Sequence, residues 1–248
     1  MAVSSKSGDG AAPRPPRSHS ARVVDDLGLA IVSGQMPEGS LLPGDVELLE
    51  RFGVSRTVLR EAMKTLAAKG MVQARARVGT RVRPRSSWNL FDTDVLKWHA
   101  EVGLEPDFFV HLAEIRMVLE PEAAAYAALR STPDDIREMT DWLERMGEKG
   151  IGREAFAQAD LGFHLAVARA AHNPFFVSIS TLIEVVLVAM LTISSPVDVP
   201  DRLAASVMQH RRISKAIAEG KADEARRAMR DVIQNGLDNA RQESSALG

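Results

Sequence analysis

Asp160 and His164 stand four residues apart in Ala159-Asp160-Leu161-Gly162-Phe163-His164. On a helix that spacing stacks a carboxylate and an imidazole on one face, one turn apart. A second imidazole, His210, comes from a separate run, Met208-Gln209-His210-Arg211-Arg212-Ile213. One carboxylate and two imidazoles suit a divalent metal, zinc first, with nickel, manganese or iron as the other candidates. Such a set leaves coordination positions open for water or a ligand. The same spacing also occurs in plain surface pairs and caps, so spacing alone leaves both readings standing. Arg116 lies in an otherwise apolar stretch, Ile115-Arg116-Met117-Val118-Leu119. Its guanidinium can hold a carboxylate in a fork, or it can pair internally with Glu120, its i+4 neighbour. His172 sits in Ala171-His172-Asn173-Pro174, which reads as a helix stop.

A different chemistry is spelled near the N-terminus. Ser55-Arg56-Thr57-Val58-Leu59-Arg60 follows a tight Gly53-Val54 turn and opens a helix of about four turns. Arg56 can pair bidentately with guanine, and Thr57 can reach a base edge or a phosphate. Arg60 lies one turn on, along the same face. Ser55 can cap the helix and donate to a phosphate. A hairpin follows, with strands expected at Met71 to Ala76 and Thr80 to Val82. It carries Arg75, Arg77, Arg81, Arg83 and Arg85 within eleven residues. Alternating Arg on a ribbon projects a row of positive charge suited to phosphates or a narrow minor groove. Gly79 at the tip allows backbone to approach DNA closely.

These residues need elements to hold them. A helix from about Ala21 to Val32, a short helix near Asp45 to Phe52 and the helix from Ser55 to Lys69 form a helix-turn-helix. With the hairpin they make a winged unit over residues 18–85. Residues 1–17 lack core-forming side chains and read as a disordered arm. Residues 86–106 read as a linker. From 107 to 242 the pattern is helical, with breaks near Thr132-Pro133, Gly147 to Gly152, Asn173-Pro174, Ser194 to Pro200 and Gly220. Six helices with short connections predict an antiparallel bundle. The fold class is therefore mainly α.

Composition agrees with this division. Residues 1–87 carry 14 Lys+Arg against 8 Asp+Glu, whereas residues 88–248 carry 17 against 25. A basic front and an acidic back suggest that one part meets a polyanion and the other does not, with chance clustering as the alternative. The 248 residues contain no cysteine, which excludes disulfides, thiolate metal sites and cysteine nucleophiles. No apolar run approaches the roughly 20 residues of a membrane span. The expected location is the cytoplasm.

Leu41-Leu42-Pro43-Gly44-Asp45-Val46-Glu47-Leu48, with Phe52-Gly53-Val54-Ser55-Arg56-Thr57-Val58-Leu59-Arg60-Glu61-Ala62, resembles the signature of GntR-family transcriptional regulators. Many members have Arg where this chain has Val46. The later run of Arg116, Leu119-Glu120-Pro121, Asp160, Phe163-His164, Asn173-Pro174 and His210 resembles the FadR-type effector domain, FCD, of that family. The resemblance implies a metal held by an Asp and three His beneath a carboxylate effector. Asp160, His164 and His210 match three ligand positions. Val232 stands at the fourth and cannot ligate. Arg116 then takes the effector carboxylate, with Asn173 and Asn235 as further effector contacts. Trp88-Asn89-Leu90-Phe91-Asp92-Thr93-Asp94-Val95-Leu96-Lys97-Trp98 resembles the inter-domain segment of galactonate-operon repressors and other sugar-acid-responsive members, which implies a sugar-acid effector.

The expectation is a homodimeric repressor, not an enzyme. It binds double-stranded operator DNA, touches no membrane and is released by a small carboxylate. Three rival readings remain, one of which makes the helical domain a dimerisation module with a vestigial site; the other two use the same residues. One is a regulator for which the metal itself is the signal. The other is a helical metallohydrolase with a DNA-binding appendage.

Overall fold

The computed structural model describes residues 18–103, 106–193 and 195–246. Residues 1–17, expected to be disordered, lie outside these. The chain divides into two compact units, Met1–Asn89 and Leu90–Gly248.

In the first unit, Ser18 caps α1 (His19–Val32) by accepting from the Ala21 amide. Val23, Val24, Leu27 and Ile31 are buried. They recur at helical spacing and pack α1 on α3. The two helices of the turn are α2 (Asp45–Phe52) and α3 (Arg56–Ala68). Leu48 and Phe52 from α2, with Leu59, Ala62 and Leu66 from α3, complete the core. The wing is an antiparallel ribbon of β1 (Val72–Arg75) and β2 (Gly79–Val82), with Val72 opposite Val82 and Arg75 opposite Gly79. The segment before α2 joins it, because the Leu42 amide donates to the Thr80 carbonyl at 2.8 Å. Gly70 ends α3 at φ +78, and a Cβ there would sit 2.1 Å from the Ser87 carbonyl oxygen. Glycine alone meets both demands. The Asn89 amide donates to the Lys69 carbonyl at 2.9 Å, fastening the chain that follows the wing to the end of α3.

The stretch expected as linker, 86–106, holds a helix. Asp92 caps α4 (Thr93–Val102), and Val95, Leu96, Trp98 and His99 are buried along it. Beyond it, among the described residues, run six α-helices: α5 (Pro106–Arg130), α6 (Pro133–Met146), α7 (Arg153–Ala170), α8 (Pro174–Ile193), α9 (Pro200–Ala218) and α10 (Ala222–Ala246). Their junctions fall at the expected breaks, and α10 passes the expected end at 242. Thr132 and Asp135 form a reciprocal capping box at the start of α6.

The core of this unit joins an alanine-rich face of α5 to Phe156, Phe163 and Val167 of α7, Ile213 and Ile217 of α9, and Met229 and Ile233 of α10. Small residues let helices approach. At Gly162 a Cβ would lie 2.5 Å from the Trp142 ring, so α6 and α7 meet where α7 has no side chain. This close packing puts α5, α7, α9 and α10 around one buried polar cluster. Among the described residues no helix is long and apolar enough to cross a membrane.

Candidate DNA interface and metal centre

The N-terminal end of α3 is capped by Ser55, whose side chain accepts from the Val58 amide at 3.4 Å. That cap leaves Arg56, Thr57 and Arg60 exposed over the first turn. With Asp45, Val46 and Leu49 of α2 and Thr80 of β2, they border a surface depression of about 430 Å³. The wing differs from the expected row of five arginines. Arg75 and Arg77 are exposed at its tip, and Arg77 takes a left-handed conformation at φ 62 beside Gly79 at φ 112. Arg81 instead donates to the Gly39 carbonyl, which draws its head back toward the turn before α2. The Arg85 guanidinium lies over the Trp88 ring, 5.8 Å from its centre. The Gly39 carbonyl and the tryptophan supply partners that alternation along a ribbon does not reveal.

In the second unit, α7 presents Asp160 and His164, and α9 presents His210. All three are buried, and their ligating atoms lie within 4.8 Å of one another. The His210 Nε2 is 3.1 Å from Asp160 Oδ1 and 3.4 Å from His164 Nε2. The other nitrogen of each imidazole faces an oxygen, through a hydrogen bond in His210 and at ion-pair distance in His164. His210 Nδ1 donates to the Ser206 carbonyl at 2.8 Å. His164 Nδ1 lies 2.6 Å from Glu120 Oε2 of α5. Both Nε2 atoms turn toward Asp160, at 3.8 Å for His164 and 3.1 Å for His210, the side on which a metal would be held. The donor set fits a divalent metal with three protein ligands. When bound, such an ion supplies a Lewis-acid anchor for oxygen ligands.

Arg116 is 3% exposed, and its Nε and Nη2 donate to the two carboxylate oxygens of Glu120, the second at 3.2 Å. The internal pair therefore forms. Arg116 also borders a cavity of about 300 Å³ that opens over Asp160, His164 and His210. Arg202, Ser206 and Gln209 of α9 and Asn235 and Asn239 of α10 give that cavity a polar wall. Leu187, Leu191, Val232 and Ile233 give it an apolar one. Val232 is buried there, so the site has no fourth ligand at that position.

The charges are set by these contacts. Burial pushes the Glu120 carboxyl up, but Arg116 and then His164 outweigh it and hold it at about 2. Burial likewise opposes ionisation of Asp160, and the adjacent His210 overrides it and lowers the carboxyl. His210 is correspondingly raised: desolvation disfavours its charge, and Asp160 more than restores it.

A model of the bacterial regulatory proteins of the gntR family matches residues 19–82, and the FCD domain matches residues 111–235. The chain belongs to the GntR family. Family members of this type bind operator DNA, so this GntR chain is a DNA-binding transcriptional regulator and not an enzyme. The galactonate operon transcriptional repressor of Escherichia coli K12 is 38% identical over 162 residues, 65% of this chain and 71% of that one. The HTH-type regulator YieP of the same organism is 32% identical over 215 residues, 86% of this chain and 91% of its own length. The solved structure of Lar, which controls expression of the Listeria monocytogenes agr system, shares the fold. Its TM-score is 0.60 at 21% identity, over 92% of this chain and 99% of that one.

The structure brings Asp160, His164 and His210 together and puts Arg116 and Asn235 on one cavity. Asn173 lies elsewhere. Its Oδ1 accepts from the Phe175 amide at 3.0 Å and caps α8, a role that the Asn-Pro pair signals locally. Sequence reading did not single out Glu120 as the partner of His164, nor Arg202, Gln209 and Asn239. The α9 residues share the spacing 202, 206, 209 and 210, one helix face, which was the available signal.

Proposed function

We propose that this regulator represses sugar-acid catabolic genes and leaves its operator when a small hydroxylated carboxylate binds over a divalent metal. The observation that carries the reading is the cavity: a buried Asp-His-His triad at its floor, guanidinium groups at its edge and amides along one wall. A carboxylate and a neighbouring hydroxyl are ligands for a metal with open positions. Amides suit the hydroxyls of a sugar acid, and the apolar wall suits its carbon chain. The 38% identity to a galactonate operon repressor supports the same class.

The metal ligands in this reading are Asp160, His164 and His210, with zinc the first candidate. Arg116 contributes positive charge beside the effector while bound to Glu120, and Asn235 contacts the hydroxylated tail. The DNA contacts are Ser55, Arg56, Thr57 and Arg60 of α3, with Arg75, Arg77 and Gly79 of the wing. The protein acts as a cytoplasmic homodimer, which matches a two-fold operator.

Thermal unfolding against a panel of sugar acids, with and without zinc, tests the effector class. A ligand that binds only the folded state stabilises by roughly 2.7 kcal/mol at a hundred times its dissociation constant. One acid should raise the melting temperature in the presence of metal, and the shift should vanish in His164→Ala. A shift produced by metal alone, with no acid adding to it, would favour the reading in which metal is the signal.

A further inference from the structure

Arg116 and Glu120 form a buried pair whose charges cancel. Asp160 is the one acid among the described residues that line the cavity, and it sits with the two imidazoles at the floor. Arg202 is a separate cation, half-buried on the wall. It precedes His210 on α9 by just over two turns, about 12 Å along the helix axis. Helical side chains lean toward the N-terminus of their helix, so both heads shift the same way and keep that separation. A carboxylate held at the floor does not also reach Arg202. Ser206 and Gln209 occupy the interval on α9. A short turn, residues 219–221, joins α9 to α10, so the two helices run antiparallel and Asn239 falls nearer Arg202 than Asn235 does. The cavity thus has metal ligands at its floor, uncharged hydrogen-bonding groups along its length and a guanidinium at its far end. A sugar acid with one carboxylate brings only a hydroxyl to that guanidinium. The strong, forked bonds of Arg are made to carboxylates and phosphates.

We propose that the effector carries a second anionic group, which Arg202 binds at the end of the cavity opposite the metal ligands. The ligand class is a sugar acid whose terminal carbon bears a carboxylate or a phosphate, a two-ended acid. Arg202 also interacts within the protein, and its five N–H donors accommodate both partners. Arg202 then selects among sugar acids by charge at the tail, while the amides read the hydroxyls between. The inference deepens the effector reading above and rests on it.

The test is calorimetric binding of matched acids to the full-length protein with zinc present. Gluconate is compared with glucarate and 6-phosphogluconate, and galactonate with galactarate and 6-phosphogalactonate. Within a series one two-ended acid should bind at least about tenfold tighter than its monoacid, the value of one hydrogen bond to a charged group. Whether the dicarboxylate or the phosphate binds tighter identifies the source of the second charge. In Arg202→Gln that acid should fall to the level of the monoacid, and Arg202→Lys should keep part of the preference. Zinc titration and melting of both variants without acid report whether the floor and the fold are intact. The proposal is overturned if the monoacids bind as tightly as their two-ended partners, or if an intact Arg202→Gln keeps the preference. Either result leaves the sensor reading standing. Binding of no acid at all would overturn that reading, and this inference with it.

Discussion

Glu120 links two functions through one carboxylate: it receives both nitrogens of Arg116 on its own helix and faces His164 on α7 at ion-pair distance. Outer partners of metal-bound histidines typically contribute 10- to 100-fold in affinity, so Glu120→Gln should weaken zinc binding by about that factor. It should also destabilise the fold by about 3 kcal/mol, because a buried guanidinium loses its countercharge. Calorimetric zinc titration and denaturant unfolding separate the two effects, and unaltered affinity would remove Glu120 from the site. Asp160→Ala should abolish binding outright. At this scale the triad was legible, because i, i+4 spacing is local and His210 stands in a recognisable run. The link from Glu120 to His164 was not legible. It crosses between α5 and α7, and in the chain Glu120 shows only its neighbour Arg116. Arg81 misled for a related reason, since its acceptor is a backbone carbonyl on another loop.

Elements were legible wherever their ends carry local chemistry. Thr132-Pro133, Asn173-Pro174 and Gly220 mark helix junctions by capping and by fixed or permissive dihedrals, and the six-helix order followed from them. Helix α4 was passed over as linker. Its buried Val95, Leu96, Trp98 and His99 nevertheless keep helical spacing behind the Asp92 cap. Two substitutions probe how elements are held. Gly162→Ala puts a methyl into the Trp142 ring and should destabilise the bundle by about 1–3 kcal/mol, measured by thermal unfolding. Asp135→Asn should remove about 1 kcal/mol from the α6 cap at neutral pH. Burial opposes the Asp135 charge, but its hydrogen bonds to Thr132 and His172 prevail and lower its pKa. A lowered folded pKa gives stability that is present above the ordinary carboxylate value and fades as pH falls through the folded one. The difference between wild type and Asp135→Asn should therefore shrink in acid. A gap that persists undiminished at a pH where Asp135 itself is protonated would contradict the assigned hydrogen bonds.

For the whole molecule, the uneven charge was visible in composition, and the basic part is the one that the gntR family model matches. The cavity was not visible, because its polar wall is assembled from α9 and α10 and its floor from α7 and α9. Arg75→Ala or Arg77→Ala should weaken operator and random DNA alike and lower the salt slope by about one each, in contrast to a base-reading change at Arg56. If an effector releases the operator as proposed, the coupling is reciprocal, and each ligand weakens the other by the same factor. The most direct measurement is operator affinity by fluorescence anisotropy with zinc present, titrated with the sugar acid that raises the melting temperature. The account predicts a saturable loss of affinity that disappears in Asp160→Ala and His164→Ala. Operator affinity unchanged at saturating acid, with the acid demonstrably bound, would contradict it.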